Sequence, residues 1–200
     1  AVSSSSSLYI SQNYGSSWAL PSSPAPSINY NSVSISASGQ YQLVSSGSSN
    51  SLYYSTNYGN SWSVVTTIIS ASWKYTAISA SGQYQAVCSN SNIYLSSNYG
   101  TSWNTLSLVP SGNLISISMS ASGQYITAVT FFTSNLGGNI YVSSNYGNTF
   151  TGVSSISDNF LCVCMSASGQ YQTVVSSTGN GYSTYGNGYL YKSIDYGNTW

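Results

Sequence analysis

The sequence predicts an all-β protein assembled from a tandem four-stranded repeat, and three observations predict it. An eight-residue pattern, Ser-x-Asn/Asp-Tyr-Gly-x-Ser/Thr-aromatic, recurs five times along the 200 residues. A hexapeptide, SASGQY, recurs four times, centred on Gly39, Gly82, Gly123 and Gly169. Between these markers the chain alternates apolar with small or polar residues at a period of two, the signature of half-buried strands. The hexapeptide glycines lie 43, 41 and 46 residues apart, the length of one four-stranded blade.

Each unit divides into strands in a fixed order. Before every hexapeptide runs a strand with apolar residues on one face (Val33 and Ile35, Ile78, Ile117 and Met119, Val163 and Met165) and small ones on the other (Ser34, Ala77, Ser118, Cys164). Such a strand suits the crowded inner position where neighbouring sheets converge. The Ser-Gly step turns the chain into a second strand, as in 40–44 and 170–175. A third strand carries Tyr9, Tyr53, Tyr94, Tyr141 and Tyr191 in register, and the eight-residue pattern leads into the fourth. The expected organisation is a single domain over 1–200, with a partial blade at 1–20 and repeat units at about 31–66, 74–108, 115–153 and 161–200.

The five copies read SQNYGSSW, STNYGNSW, SSNYGTSW, SSNYGNTF and SIDYGNTW. They resemble the Asp-box, or BNR repeat, of sialidase- and sortilin-type β-propellers, Ser-x-Asp-x-Gly-x-x-Trp, which lies between the third and fourth strands of a blade. The resemblance spans essentially the whole chain and implies a β-propeller of about five four-stranded blades. It also implies structural turn roles for Asn13, Gly15 and Trp18, Asn57, Gly59 and Trp62, Asn98, Gly100 and Trp103, Asn145, Gly147 and Phe150, and Asp195, Gly197 and Trp200. The Asn or Asp side chain caps backbone N–H groups, Gly supplies a positive φ, and the aromatic packs between sheets. Four boxes carry Asn for Asp and so keep the acceptor oxygen without the charge.

The strand count leaves one blade incomplete. The chain begins with strands three and four and ends on strands one, two and three, so both ends bring a third strand. The expectation is a thin blade, a longer array, or completion by a neighbouring subunit, with the segment from Leu8 to Trp18 pairing against that neighbour.

Composition narrows the function. Only Lys74, Lys192, Asp158 and Asp195 are charged, 2% of residues against roughly 25% in typical soluble proteins. With no Arg and no net charge, nothing neutralises a run of phosphates or an anionic membrane, so nucleic-acid partners and membrane insertion are not expected. The scaffold resembles that of sialidases, but with no Arg and no Glu the arginine cluster and the Tyr/Glu pair of those enzymes have no counterpart here. Without His there is no ordinary general base for a serine, and no set of metal ligands. Asp195 belongs to a turn, and Asp158, in the polar stretch SISDN, reads as a solvated loop residue. No catalytic residue, metal site or cofactor is expected, and the protein reads as a non-enzyme.

A near-neutral surface favours association, so head-to-tail self-assembly is the expected partnership. The chain starts without Met and has no long apolar run, which reads as a processed, secreted protein. No Asn-x-Ser/Thr acceptor occurs, so glycans are expected to be O-linked or bound. Cys88, Cys162 and Cys164 read as buried thiols, with a bridge from Cys88 to one of the pair as the alternative. Spacing from hexapeptide glycine to box aromatic varies (23, 21, 27 and 31 residues) whereas spacing from box aromatic to the next glycine is steady at 19–21. Variation therefore falls in the loop between strands two and three, which makes Phe131, Phe132, Asn135, Tyr182, Tyr185 and Asn187 the candidate binding-loop residues. Together these features favour a unit of an extracellular self-assembling fibre, adhesin or virion appendage. A monomeric carbohydrate- or protein-binding propeller is the alternative, and a degenerate glycosidase the distant one.

Overall fold

The computed structural model of the chain describes residues 7–21, 29–47, 50–68, 71–107, 113–131, 137–177 and 188–200, and among them all regular structure is β. A hairpin over residues 8–19 is closed by the pair Ile10 and Ala19. Four units follow. The first contains β1 (Tyr30–Ile35), β2 (Gln42–Ser46), β3 (Leu52–Ser55) and β4 (Ser63–Val64). The second contains β5 (Thr76–Ile78), β6 (Gln85–Cys88), β7 (Asn92–Ser96) and β8 (Asn104–Ser107). The third contains β9 (Asn113–Met119), β10 (Ile126–Phe131), β11 (Gly138–Ser143) and the start of β12 (Thr151–Met165). The rest of β12 opens the fourth unit, followed by β13 (Gln172–Ser177) and β14 (Leu190–Ser193). Every pairing is antiparallel between sequence neighbours, an up-and-down meander.

Among the described residues the core lies in four slabs, one at each seam between successive pieces. Leu8 of the hairpin packs with Tyr30, Val44 and Tyr53 of the first unit. Leu43, Leu52 and Trp73 meet Val87 and Tyr94. Ala86 and Ile93 meet Leu114, Ile117 and Ile126. Val129 and Ile140 meet Phe160, Val163 and Val174. A second strand flanked on both sides is therefore buried, throughout in β2 and β6 and as far as Thr130 in β10. In β13, which no described unit covers on its outer side, burial alternates residue by residue.

That arrangement corrects three expectations. Cys162 and Cys164 are free and exposed, whereas Cys88 is buried. The Cys162 position corresponds to Ser116, which is buried because the fourth unit packs over it; no described unit packs over Cys162. Likewise Val33 and Ile35 of the first unit are exposed, while Ile117, the counterpart of Val33 in the third unit, is buried. The third correction is Asp158, which lies on β12 and not in a solvated loop. The strand bulges there, because Ile140 faces Val153 while Gly138, two residues earlier, faces Asp158. The bulge carries the chain from the outer edge of one sheet to the first strand of the next.

Candidate functional site

All five box turns are built alike. The box serine accepts a hydrogen bond from the glycine N–H at 2.8–2.9 Å in every copy. The Asn or Asp Oδ1 accepts from the backbone N–H four residues on, at 2.9–3.0 Å. In the four Asn boxes Nδ2 donates at 2.8 Å to the hydroxyl of that same residue. At Asp195 the hydroxyl reverses its role, and Thr199 Oγ1 donates to Oδ2 at 2.6 Å. The Thr199 hydroxyl and then its N–H hold the Asp195 carboxyl below its ordinary range. The indoles of Trp62, Trp103 and Trp200 each donate to the box glycine carbonyl at 3.0 Å. The glycines have φ of 79–86°, as the pattern requires, and so, at 57–63°, do the tyrosines before them. A tyrosine in the left-handed region costs roughly 1–2 kcal/mol, and in three of the five boxes its ring makes a contact that offsets the cost.

It does so at the seams. Tyr41 of the first unit packs against Tyr99 in the box of the second, with ring centroids 4.9 Å apart and ring planes tilted by 37°. Tyr84 meets Tyr146 at 4.7 Å, and Tyr125 meets Tyr196 at 4.5 Å. The hexapeptide glycines explain themselves here, because a Cβ on Gly82, Gly123 or Gly169 would strike Tyr41, Tyr84 or Tyr125 of the preceding unit. Beside each contact the hexapeptide alanines form a relay: Ala37 N–H donates to the Ala80 carbonyl at 3.0 Å, Ala80 to Ala121 at 2.9 Å, and Ala121 to Ala167 at 2.8 Å. One sequence motif thus turns the chain within its own unit and fastens that unit to the next. Reading the motif as a turn missed its second role. The signal was present in the invariant tyrosine, which a turn does not need.

Each seam also forms a groove. The grooves are about 390 Å³ between hairpin and first unit, 620 Å³ between first and second, 420 Å³ between second and third, and 450 Å³ between third and fourth. Each of the last three is lined by a tyrosine pair together with uncharged polar and aliphatic side chains, and by no charged group. Of the candidate binding-loop residues, Phe131 ends β10 and is partly buried. Phe132, Asn135, Tyr182, Tyr185 and Asn187 lie outside the described residues.

Asp158 anchors the fourth unit. Its Oδ2 accepts from Ser176 at 2.6 Å and from the Tyr191 hydroxyl at 2.9 Å, and its Oδ1 from the Asn159 N–H at 2.7 Å. Burial, then the bond to Asp158 and its charge, pushes the Tyr191 phenol up to about 12. Burial likewise pushes the Cys88 thiol up to about 12. Both carboxylates of the chain are thus engaged in holding structure. Among the described residues no three Cys, Asp or Glu side chains converge, and no helix is long and apolar enough to cross a membrane.

These sheets, packed face to face in succession, define a β-propeller. Solved structures agree. The chain superposes on the GH74 xyloglucanase from Xanthomonas campestris with a TM-score of 0.63 at 14% identity, over 84% of this chain and 29% of that one. It superposes on YCF48 from Cyanidioschyzon merolae with a TM-score of 0.58 at 12% identity, over 86% and 54%. With the Cps50 (Swd1) β-propeller domain the TM-score is 0.58 at 13% identity, over 80% and 56%. At such identities the likeness is one of fold, and the chain spans about a third to a half of the length of these proteins. No family model matches the sequence, and no curated protein does.

Proposed function

We propose that this chain is a non-enzymatic structural propeller of the Asp-box type, working outside the cell as a unit of a self-assembling fibre, adhesin or particle appendage. One observation carries the reading: the seam between units, made three times over from an alanine backbone relay, a tyrosine on a glycine and a tyrosine pair, uses no charge at all. An interface of that kind repeats without long-range repulsion and is insensitive to salt. Engagement of both acids in structural hydrogen bonds supports the non-catalytic part of the proposal. Light scattering across a concentration series tests it. The expected mass rises well above the 21.1 kDa of one chain as concentration increases and changes little with added salt; a constant single-chain mass overturns it.

A further inference from the structure

Three tyrosine pairs bridge the seams between the four units, and the fold makes no use of their hydroxyls. Tyr41 meets Tyr99, Tyr84 meets Tyr146 and Tyr125 meets Tyr196, with ring centroids 4.5–4.9 Å apart and ring planes tilted by 28–37°. Among the described residues none of these six phenol oxygens hydrogen-bonds to another protein group, in contrast to that of Tyr191, which donates to Asp158 at 2.9 Å. Packing alone would be served by phenylalanine, which the chain accepts at the aromatic position of the fourth box, Phe150. Yet all six positions are tyrosine. Each pair also lines the groove at its own seam, and Tyr99 and Tyr146 are 42% and 41% exposed, so a small solute reaches these rings from water. Apart from the backbone itself no covalent bond joins one unit to the next, since all three cysteines are free.

The geometry points to these pairs as sites of oxidative coupling, each seam forming a dityrosine link when a peroxide acts through a one-electron oxidising catalyst such as a haem peroxidase. One electron and one proton leave each phenol, and the unpaired electron of the resulting radical spreads onto the two Cε carbons beside the hydroxyl-bearing carbon. A Cε–Cε bond forms between the two radicals of a pair. The hydrogen on each joined carbon then moves to its oxygen, which restores both phenols. The peroxide takes up the two electrons and two protons and leaves as two waters, so the chain loses two hydrogen atoms per link. Coupling within a pair outruns coupling between molecules because the partner ring is already held beside the radical, at an effective concentration that free chains in solution do not reach. Each link closes a long loop across a seam and so restricts the unfolded chain, as a disulfide does. Both rings of every pair belong to one chain, which makes the coupling independent of self-assembly.

Oxidation of the dilute chain with hydrogen peroxide and a haem peroxidase, followed by mass spectrometry and peptide mapping under denaturing conditions, tests the coupling. The expected product is a single chain that is lighter by two hydrogen atoms per link, shows dityrosine fluorescence, and yields linked peptides joining Tyr41 to Tyr99, Tyr84 to Tyr146 and Tyr125 to Tyr196. Tyr58 holds the same left-handed box position, at φ 61°, but has no ring partner among the described residues, and is expected to stay unlinked. Tyr99→Phe and Tyr146→Phe keep a ring at the seam; each should remove one link and leave the others, with circular dichroism verifying the fold. Photo-oxidation with a tris-bipyridyl ruthenium complex and persulfate repeats the experiment with an oxidant small enough to enter the grooves. Absence of seam-linked peptides from both treatments overturns the proposal. Links that join other tyrosines in their place, or that form only between chains, overturn it as well.

Discussion

At the scale of single residues, the box turn shows how one geometry is reached with two chemistries. Asn supplies an acceptor to the backbone and a donor to the following hydroxyl, whereas Asp195 supplies two acceptors and the Thr199 hydroxyl turns round to donate. Asp195→Asn should therefore leave the urea midpoint unchanged at neutral pH, since four sister turns already use Asn. The pH dependence has a definite sign. A carboxyl held below its ordinary value of 3.8 contributes stability that is complete above that value and is lost as pH falls through the lower, folded one. The native chain should lose that small increment below pH 3.8, and the Asn variant should not. A clear drop in the variant's midpoint at neutral pH would show that the charge itself holds the turn.

At the scale of elements, the second strands reveal a pairing rule across seams. Thr127 of the third unit donates to Gln172 Oε1 of the fourth at 2.6 Å, both buried. In the second unit Gln85 occupies the same position, but Leu43 of the first unit stands where Thr127 would be, and Gln85 Oε1 is left without a partner. The third unit resolves the conflict differently, placing Ile126 behind Ala86. A buried acceptor left unpaired costs about 1–3 kcal/mol. Gln85→Ile, which copies the third unit, should thus stabilise the chain by about 1 kcal/mol in chemical denaturation. A loss of stability would mean that the bond from Gln85 Nε2 to the Gly82 carbonyl outweighs the orphaned oxygen.

At the scale of the whole molecule, a core divided into slabs makes each piece depend on its neighbours, as in other repeat proteins. The hairpin is the extreme case, bound to the rest mainly by Leu8 and by Ile10 against Gly59. Removing residues 1–18 should cost about 2 kcal/mol, the burial of one leucine, and uncover Tyr30 and Trp62 without unfolding the four units. Differential scanning calorimetry of the truncated chain checks this, and complete loss of a cooperative transition would contradict it.

What the sequence by itself determined is what is local and repeated: the strands, the turn glycines and the box turn. These follow from backbone sterics and short-range hydrogen bonds, which a pattern of a few residues specifies. Only the tertiary structure decided what depends on one unit lying against another. That includes the second use of Tyr41, Tyr84 and Tyr125, the exposure of Cys162, Cys164, Val33 and Ile35, and the conversion of Asp158 from an apparent loop residue into the hydrogen-bonded anchor of Ser176 and Tyr191. The physical reason is that burial belongs to a face and its neighbour jointly. Identical sequence positions become core or surface according to whether another sheet covers them.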